Sequence, residues 1–269
     1  MFSVVWLESR EQWNMPLLTA LICIAVLYGY LLRRETTLQI YHKQPLLLLI
    51  GLVFLYLNIG SPLSTISHLS FSFHMVQMSI LFFIIPPLIL LGIPIPMFKR
   101  IWGISVIKKL SKLFFPPMAA LITFSLLFLI YHLPIILKVL SQSLFIHNGY
   151  LFLLFLMSFS MWWPFAAPDP KQCYSRERKK RYAFLSGLII MPACLLFIIT
   201  AMMNGMDNPF LSQMATNLCL PPDFRSLNLL PSLFNSRIDQ IMAGILMLGI
   251  HKLGLIMVYW FGDKMHNQD

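Results

Sequence analysis

Apolar residues fall into seven runs along the chain, at about 15–33, 44–60, 71–93, 114–136, 146–164, 183–203 and 239–261, with polar and charged residues collected between them. A helix needs ~20 mostly apolar residues to cross a bilayer, so each run predicts one spanning helix. The set predicts an all-α integral membrane protein with seven transmembrane helices in a single domain over residues 1–269. The second run has the shortest apolar core, Leu46 to Ile59, bounded by Pro45 and by Gly60-Ser61-Pro62. The third carries Pro86-Pro87 near its middle and is closed by Pro94 and Pro96. Two missing backbone donors free the carbonyls near Phe82 and Phe83, so a kink is expected there. Beyond it, Ile101, Ile104 and Lys108 keep helical spacing and predict a short surface helix. No internal repeat is evident, so the inverted-repeat signature of many transporters is missing.

Composition agrees with the pattern. The 269 residues are 58% hydrophobic and 11% charged, against about 25% charged in a soluble domain, which excludes a water-soluble fold. The formal charge of +10 does not point to nucleic acid, because the basic residues lie in short runs between apolar segments. The partner they read is the lipid bilayer. Of the 20 basic residues, 15 sit after the first, third and fifth runs or in the C-terminal tail, among them Arg33, Arg34, Lys43, Lys99 and Arg100. Short basic loops stay cytoplasmic, which predicts the N-terminus outside and the C-terminus cytoplasmic. Deleting the weak second run would put the basic loops at 99–112 and 171–181 on the wrong side. The block Arg176–Arg181 is the ordinary topology signal or, alternatively, a lipid or partner patch. Residues 1–13 lack the basic start of a signal peptide, so the first span is expected to be retained. Four scattered cysteines without a CxxC pair argue against a disulfide framework or a cysteine zinc site.

The chemistry collects at the start of the third run. His68, His74, Met75 and Met78 fall within roughly a 120° arc of a helix and can share one face. Imidazole and thioether are soft ligands, and thioether in particular points to Cu(I). The bland alternative has the methionines filling core gaps and the histidines at a wet helix end. With the N-terminus outside, four of the seven histidines (His68, His74, His132 and His147) gather at the outer face. The outer end of the sixth run adds Met202, Met203, Met206 and Asp207, and the seventh begins with Asp239 and Met242. Asp239 can orient a histidine as an acceptor behind a metal ligand, or belong with Ala243, Gly244 and Met247 to a helix contact. Zinc fits less well without carboxylate or thiolate in the cluster. His42 and His266 read as solvated cytoplasmic side chains. Trp162-Trp163-Pro164 reads as an interfacial anchoring pair with a helix stop. His251-Lys252 is a polar pair deep in the last run and takes no role.

In order and spacing, HMVQM followed by PPLILLGIP, then YHLP, then HNGY ending in MWWP, and DQIMAGILM resemble the CtaG family over about residues 45–260. That resemblance implies a seven-span fold in a bacterial plasma membrane, and a role in maturing a caa-type, haem-copper cytochrome c oxidase. It also implies the oxidase subunits as partners, with copper delivery as the usual mechanism. By motif it carries over to His68, His74, Met78, His132, His147 and Asp239. Relatives often have a further histidine at the position of Met78, and another near Tyr150 or Leu151, so the ligand set here is thinner. An outer site of this kind would receive its metal from extracytoplasmic copper chaperones. No serine, cysteine or carboxylate constellation supports catalysis, so no enzyme is expected. Two further readings compete. A transporter or channel for copper or another small solute would use the same cluster as an entry, but few polar residues continue inward from it. A retinal photoreceptor would use Lys252, but no acidic counter-ion lies inside the third to sixth runs.

Overall fold

The computed structural model describes residues 13–67, 70–103, 116–203 and 236–266. Among them every regular element is a helix. The principal ones are α1 (Met15–Glu35), α2 (Lys43–Gly60), α3 (Phe71–Leu91), α4 (Pro117–Tyr131), α5 (Leu144–Ala166), α6 (Arg176–Met203) and α7 (Ser236–His266). Six of these are long and apolar enough to cross a membrane, and α4 is a shorter apolar helix. Among the described residues four short helices link them, Leu63–Ser67, Ile95–Trp102, Pro134–Ser141 and the 3₁₀ turn Pro170–Gln172. One face of α1 lies exposed with large apolar side chains, Ile22, Val26, Leu27 and Tyr30 among them, which water would penalise and lipid does not.

The fourth predicted helix is broken. The run at 114–136 divides after Tyr131, and His132 closes α4 with its amide bonded to the carbonyls of Leu129 and Ile130. Pro134 has no N–H to return to Ile130, and it holds Leu133 extended at ψ 131°, so the chain turns before continuing as Pro134–Ser141. The supposed helix stop at Pro164 fails in the opposite sense, because α5 runs through it to Ala166. Of the residues from which a surface helix was expected, Ile101 lies in the helix Ile95–Trp102, and Ile104 and Lys108 lie outside the described residues.

The core is built on α3. Of the residues in its apolar stretch 72% are buried, against 17% for α1. The kink expected at Pro86-Pro87 takes the form of a π turn over Ile80–Ile84. The α-helical partners of the Phe82 and Phe83 carbonyls would be the two proline nitrogens, which carry no hydrogen. The Trp162 indole of α5 donates to the Phe82 carbonyl at 2.9 Å, and Gly254 of α7 packs against that of Phe83. Trp162 is therefore a buried structural donor and not an interfacial anchor. Its neighbour Trp163 donates to Gln172 at 3.2 Å outside the bundle. Phe82 and Phe83 also meet Phe124 and Phe128 of α4 edge-on, with ring centroids 5.7 to 6.0 Å apart. Each such pair is worth about 0.5–1.5 kcal/mol beyond its area.

Small residues set the helix spacing. A Cβ on Gly92 would stand 2.5 Å from the Leu48 amide, and one on Gly244 2.6 Å from the Cys194 carbonyl. Tyr28 of α1 reaches the Gly92 carbonyl at 2.6 Å and brings α1 against α2 over a second, smaller core. On α7 the contrast is sharp, because a Cβ on Gly254 would lie 2.5 Å from the Phe83 carbonyl while nothing lies within 4 Å of Gly249. Gly254→Ala should lower stability by about 1–3 kcal/mol through overpacking. Gly249→Ala should be neutral or raise it, since alanine favours helix by up to ~1 kcal/mol. Thermal unfolding in detergent compares them, and equal melting temperatures would refute the close approach.

The helix ends sort into two groups. At one end Asn14 bonds Gly60, Ser70 meets Asp239, and Tyr131 meets both His74 and His147. At the other Glu35 pairs with Arg100, Phe98 meets Trp163, and Tyr182 bonds the carbonyls of Pro117 and Met161. The basic residues of α1, of Ile95–Trp102 and of the start of α6 lie at this second end.

Candidate functional site

The first end holds a buried relay of three rings. Ser70 Oγ accepts from the Phe73 amide at 3.4 Å and starts α3, which places His74 in the first turn. The break after Tyr131 ends α4 beside it, and Ser143 caps α5 so that His147 falls in its first turn. Three helix ends thus meet at one level. The hydroxyl of Tyr131 lies 3.2 Å from His74 Nε2 and 2.9 Å from His147 Nε2, with all three side chains buried. A phenol has one proton to donate and lone pairs to accept. The relay is satisfied when one imidazole accepts at Nε2 and the other donates from it, so the two rings hold complementary tautomers. Tyr150 stacks on Tyr131 with centroids 5.8 Å apart and ties its own hydroxyl to the Leu127 carbonyl at 2.7 Å.

His132 stands beside the relay without joining it. Its Nδ1 bonds the Phe128 carbonyl at 2.6 Å, so that nitrogen carries the proton. The bare Nε2 is buried among aromatic rings without a hydrogen-bond partner. A buried orphan acceptor costs about 1–3 kcal/mol. A neutral imidazole with a free Nε2 is also the form that ligates a metal.

Of the residues expected from sequence to form a metal site, the structure brings His74 and His147 together through Tyr131 and sets His132 alongside. Met75 and Met78 are fully buried, Met78 one turn below His74 on α3. His68, Met206 and Asp207 lie outside the described residues. Met202 and Met203 point away from the bundle, 78% and 73% exposed, and Met242 is exposed as well. Among the described residues, no three of His, Cys, Asp and Glu form a metal-ligand group.

Asp239 serves another purpose than the expected support of a histidine. Its carboxylate accepts from Ser70 Oγ at 2.6 Å, the Phe71 amide at 2.7 Å and the Ser72 amide at 3.0 Å. Ser72 Oγ donates back to the Asp239 carbonyl at 2.9 Å. The side chain is a cap supplied from α7 to the start of α3, where orphan amides and the helix dipole favour an anion. Sequence reasoning also missed Tyr131 and Gln77, although both stand inside the quoted motifs. Gln77 exchanges bonds with Asn58 at 2.7 and 3.0 Å and fastens α2 to α3. A polar side chain within an apolar run was the available signal for each.

The model for the cytochrome c oxidase caa3 assembly factor family (Caa3_CtaG) matches residues 25–261. The chain belongs to that family. The match takes in the relay, the Asp239 cap and the proline break of α3, so all three are features of this member of the assembly factor family. No curated protein and no solved structure matches the chain.

His251 and Lys252, adjacent in the sequence, part company in this assembly factor. Lys252 is exposed and its Nζ passes 3.0 Å from where a Cβ on Gly187 would stand. The His251 ring is buried, with neither nitrogen hydrogen-bonded.

Proposed function

We propose that this chain helps mature a caa3-type cytochrome c oxidase at the bacterial plasma membrane, and that Cu(I) is the cargo it handles. The observation that carries the mechanism is the convergence of His74 Nε2 and His147 Nε2 on one point, the Tyr131 hydroxyl. Two imidazoles closing on a monovalent soft ion, with buried thioethers on the same helix, are a donor set suited to Cu(I) over hard divalent ions. The hydroxyl keeps the rings aligned when the cargo is absent and gives way when it arrives. In this reading α1 to α7 are seven spans, with the N-terminus outside and the relay near the outer surface. Copper chaperones outside the membrane approach from that side, and the oxidase subunits receive the metal there. The basic residues gathered at the opposite end support this orientation.

Two experiments test the reading. Deleting the gene should lower caa3-type oxidase activity while the oxidase subunits are still made. Normal activity in the deletion strain with copper limiting would point instead to a membrane transporter or channel. Fusion of a reporter that works only outside the cytoplasm should give activity at Gln142 and none at Gln172. Equal signals would overturn the seven-span arrangement.

A further inference from the structure

We infer that Met247 and His251 of α7 form a second, inner binding site for a soft monovalent cation, halfway along the helix. The inference takes the identity of the metal from the copper reading above, but none of its residues. His251 stands at the midpoint of Ser236–His266 and is 1% exposed. Both of its ring nitrogens lack a hydrogen-bond partner. Its two aromatic neighbours do not offer one. Phe83 meets the ring edge-on with centroids 5.0 Å apart, and Trp162, 6.2 Å away, has spent its indole N–H on the Phe82 carbonyl. A phenylalanine would fill such an aromatic pocket without burying two unsatisfied nitrogens, so packing alone does not explain an imidazole here.

The donor that completes the site is one turn earlier. Met247 is fully buried and lies four residues before His251, so thioether and imidazole share one face of α7. That face looks toward α3. Asp239 meets Ser72 near the start of both helices, and His251 and Gly254 meet Phe83 further along, so the two helices run parallel in contact. His74 and Met78 descend α3 at the same spacing with which Met247 and His251 descend α7, and Met78 and Met247 are buried in one core. The cation would sit on the acceptor nitrogen, for which the protein supplies no hydrogen-bond donor. One imidazole nitrogen and one thioether select a monovalent soft ion over Zn²⁺ or Mg²⁺.

The test uses the full-length protein in detergent, loaded with Cu(I) under reducing conditions against a chromophoric Cu(I) chelator. Four proteins are compared: wild type, His251→Phe, Met247→Leu, and the double variant His74→Ala/His147→Ala. His251→Phe and Met247→Leu should each retain about one Cu(I) fewer than wild type, and melt no lower. The outer double variant should keep the ion that His251 holds. Loss confined to the outer double variant overturns the inner site and leaves the copper reading standing. Loss confined to the His251 and Met247 variants supports the inner site and removes the outer one. A wild-type protein that retains no Cu(I) overturns both.

Discussion

Asp239→Ala should prevent the protein from accumulating, the largest stability loss expected of any single substitution in this chain. The carboxylate accepts from Ser70 Oγ and from the amides of Phe71 and Ser72, all of them buried. Removing it strands three donors at the start of the central helix, at about 1–3 kcal/mol for each buried group left unsatisfied. A total net stability of ~5–15 kcal/mol leaves little margin for that loss. Asp239→Asn keeps the shape and one acceptor oxygen but turns an amide toward a donor, so it should be intermediate. Quantifying membrane-inserted protein by immunoblot, with melting in detergent, ranks the variants. An Asp239→Ala protein as abundant and as heat-resistant as wild type would refute the capping role.

His74→Ala should cut Cu(I) retention and oxidase maturation together, each by tenfold or more, if one of two imidazole ligands is lost at a cost above about 1.4 kcal/mol. The protein should still insert and accumulate, because Tyr131 keeps His147 as its partner. Tyr131→Phe separates ligand from placeholder. It retains the ring contacts with His132 and Tyr150 and removes only the hydroxyl that both imidazoles face. Its copper retention should stay within a fewfold of wild type. His42→Ala alters an exposed side chain bonded to Gln39 and should change neither readout. Normal oxidase maturation by a well-expressed His74→Ala protein would make the relay structural and remove the outer site from the mechanism.

Much of the helical pattern was legible because it depends on one-dimensional length and apolarity. The first run, 15–33, became Met15–Glu35, and even the short second one became Lys43–Gly60. The freed carbonyls at Phe82 and Phe83 were legible too, since a proline's missing N–H is a local fact. Which group would answer them was not, because Trp162 and Gly254 come from distant helices. The same limit governs the site. His74 and His147 stood out by residue type, but that the Tyr131 phenol stands between them depends on where α4 breaks. Asp239 was read either as a partner for histidine or as part of a helix contact. Its partners turned out to be backbone amides, whose availability depends on where α3 begins.

The bond between Asp239 and the start of α3 joins groups 167 to 169 residues apart. A ribosome adding roughly 5–20 residues per second needs on the order of ten to thirty seconds to pass from one to the other. For that interval the central helix waits in or beside the insertion machinery with its first amides uncovered and the face meant for α7 turned to lipid or to a temporary protein neighbour. The contact of α7 with the central helix is therefore the last to form, and a nascent chain released before residue 239 lacks the carboxylate that caps α3.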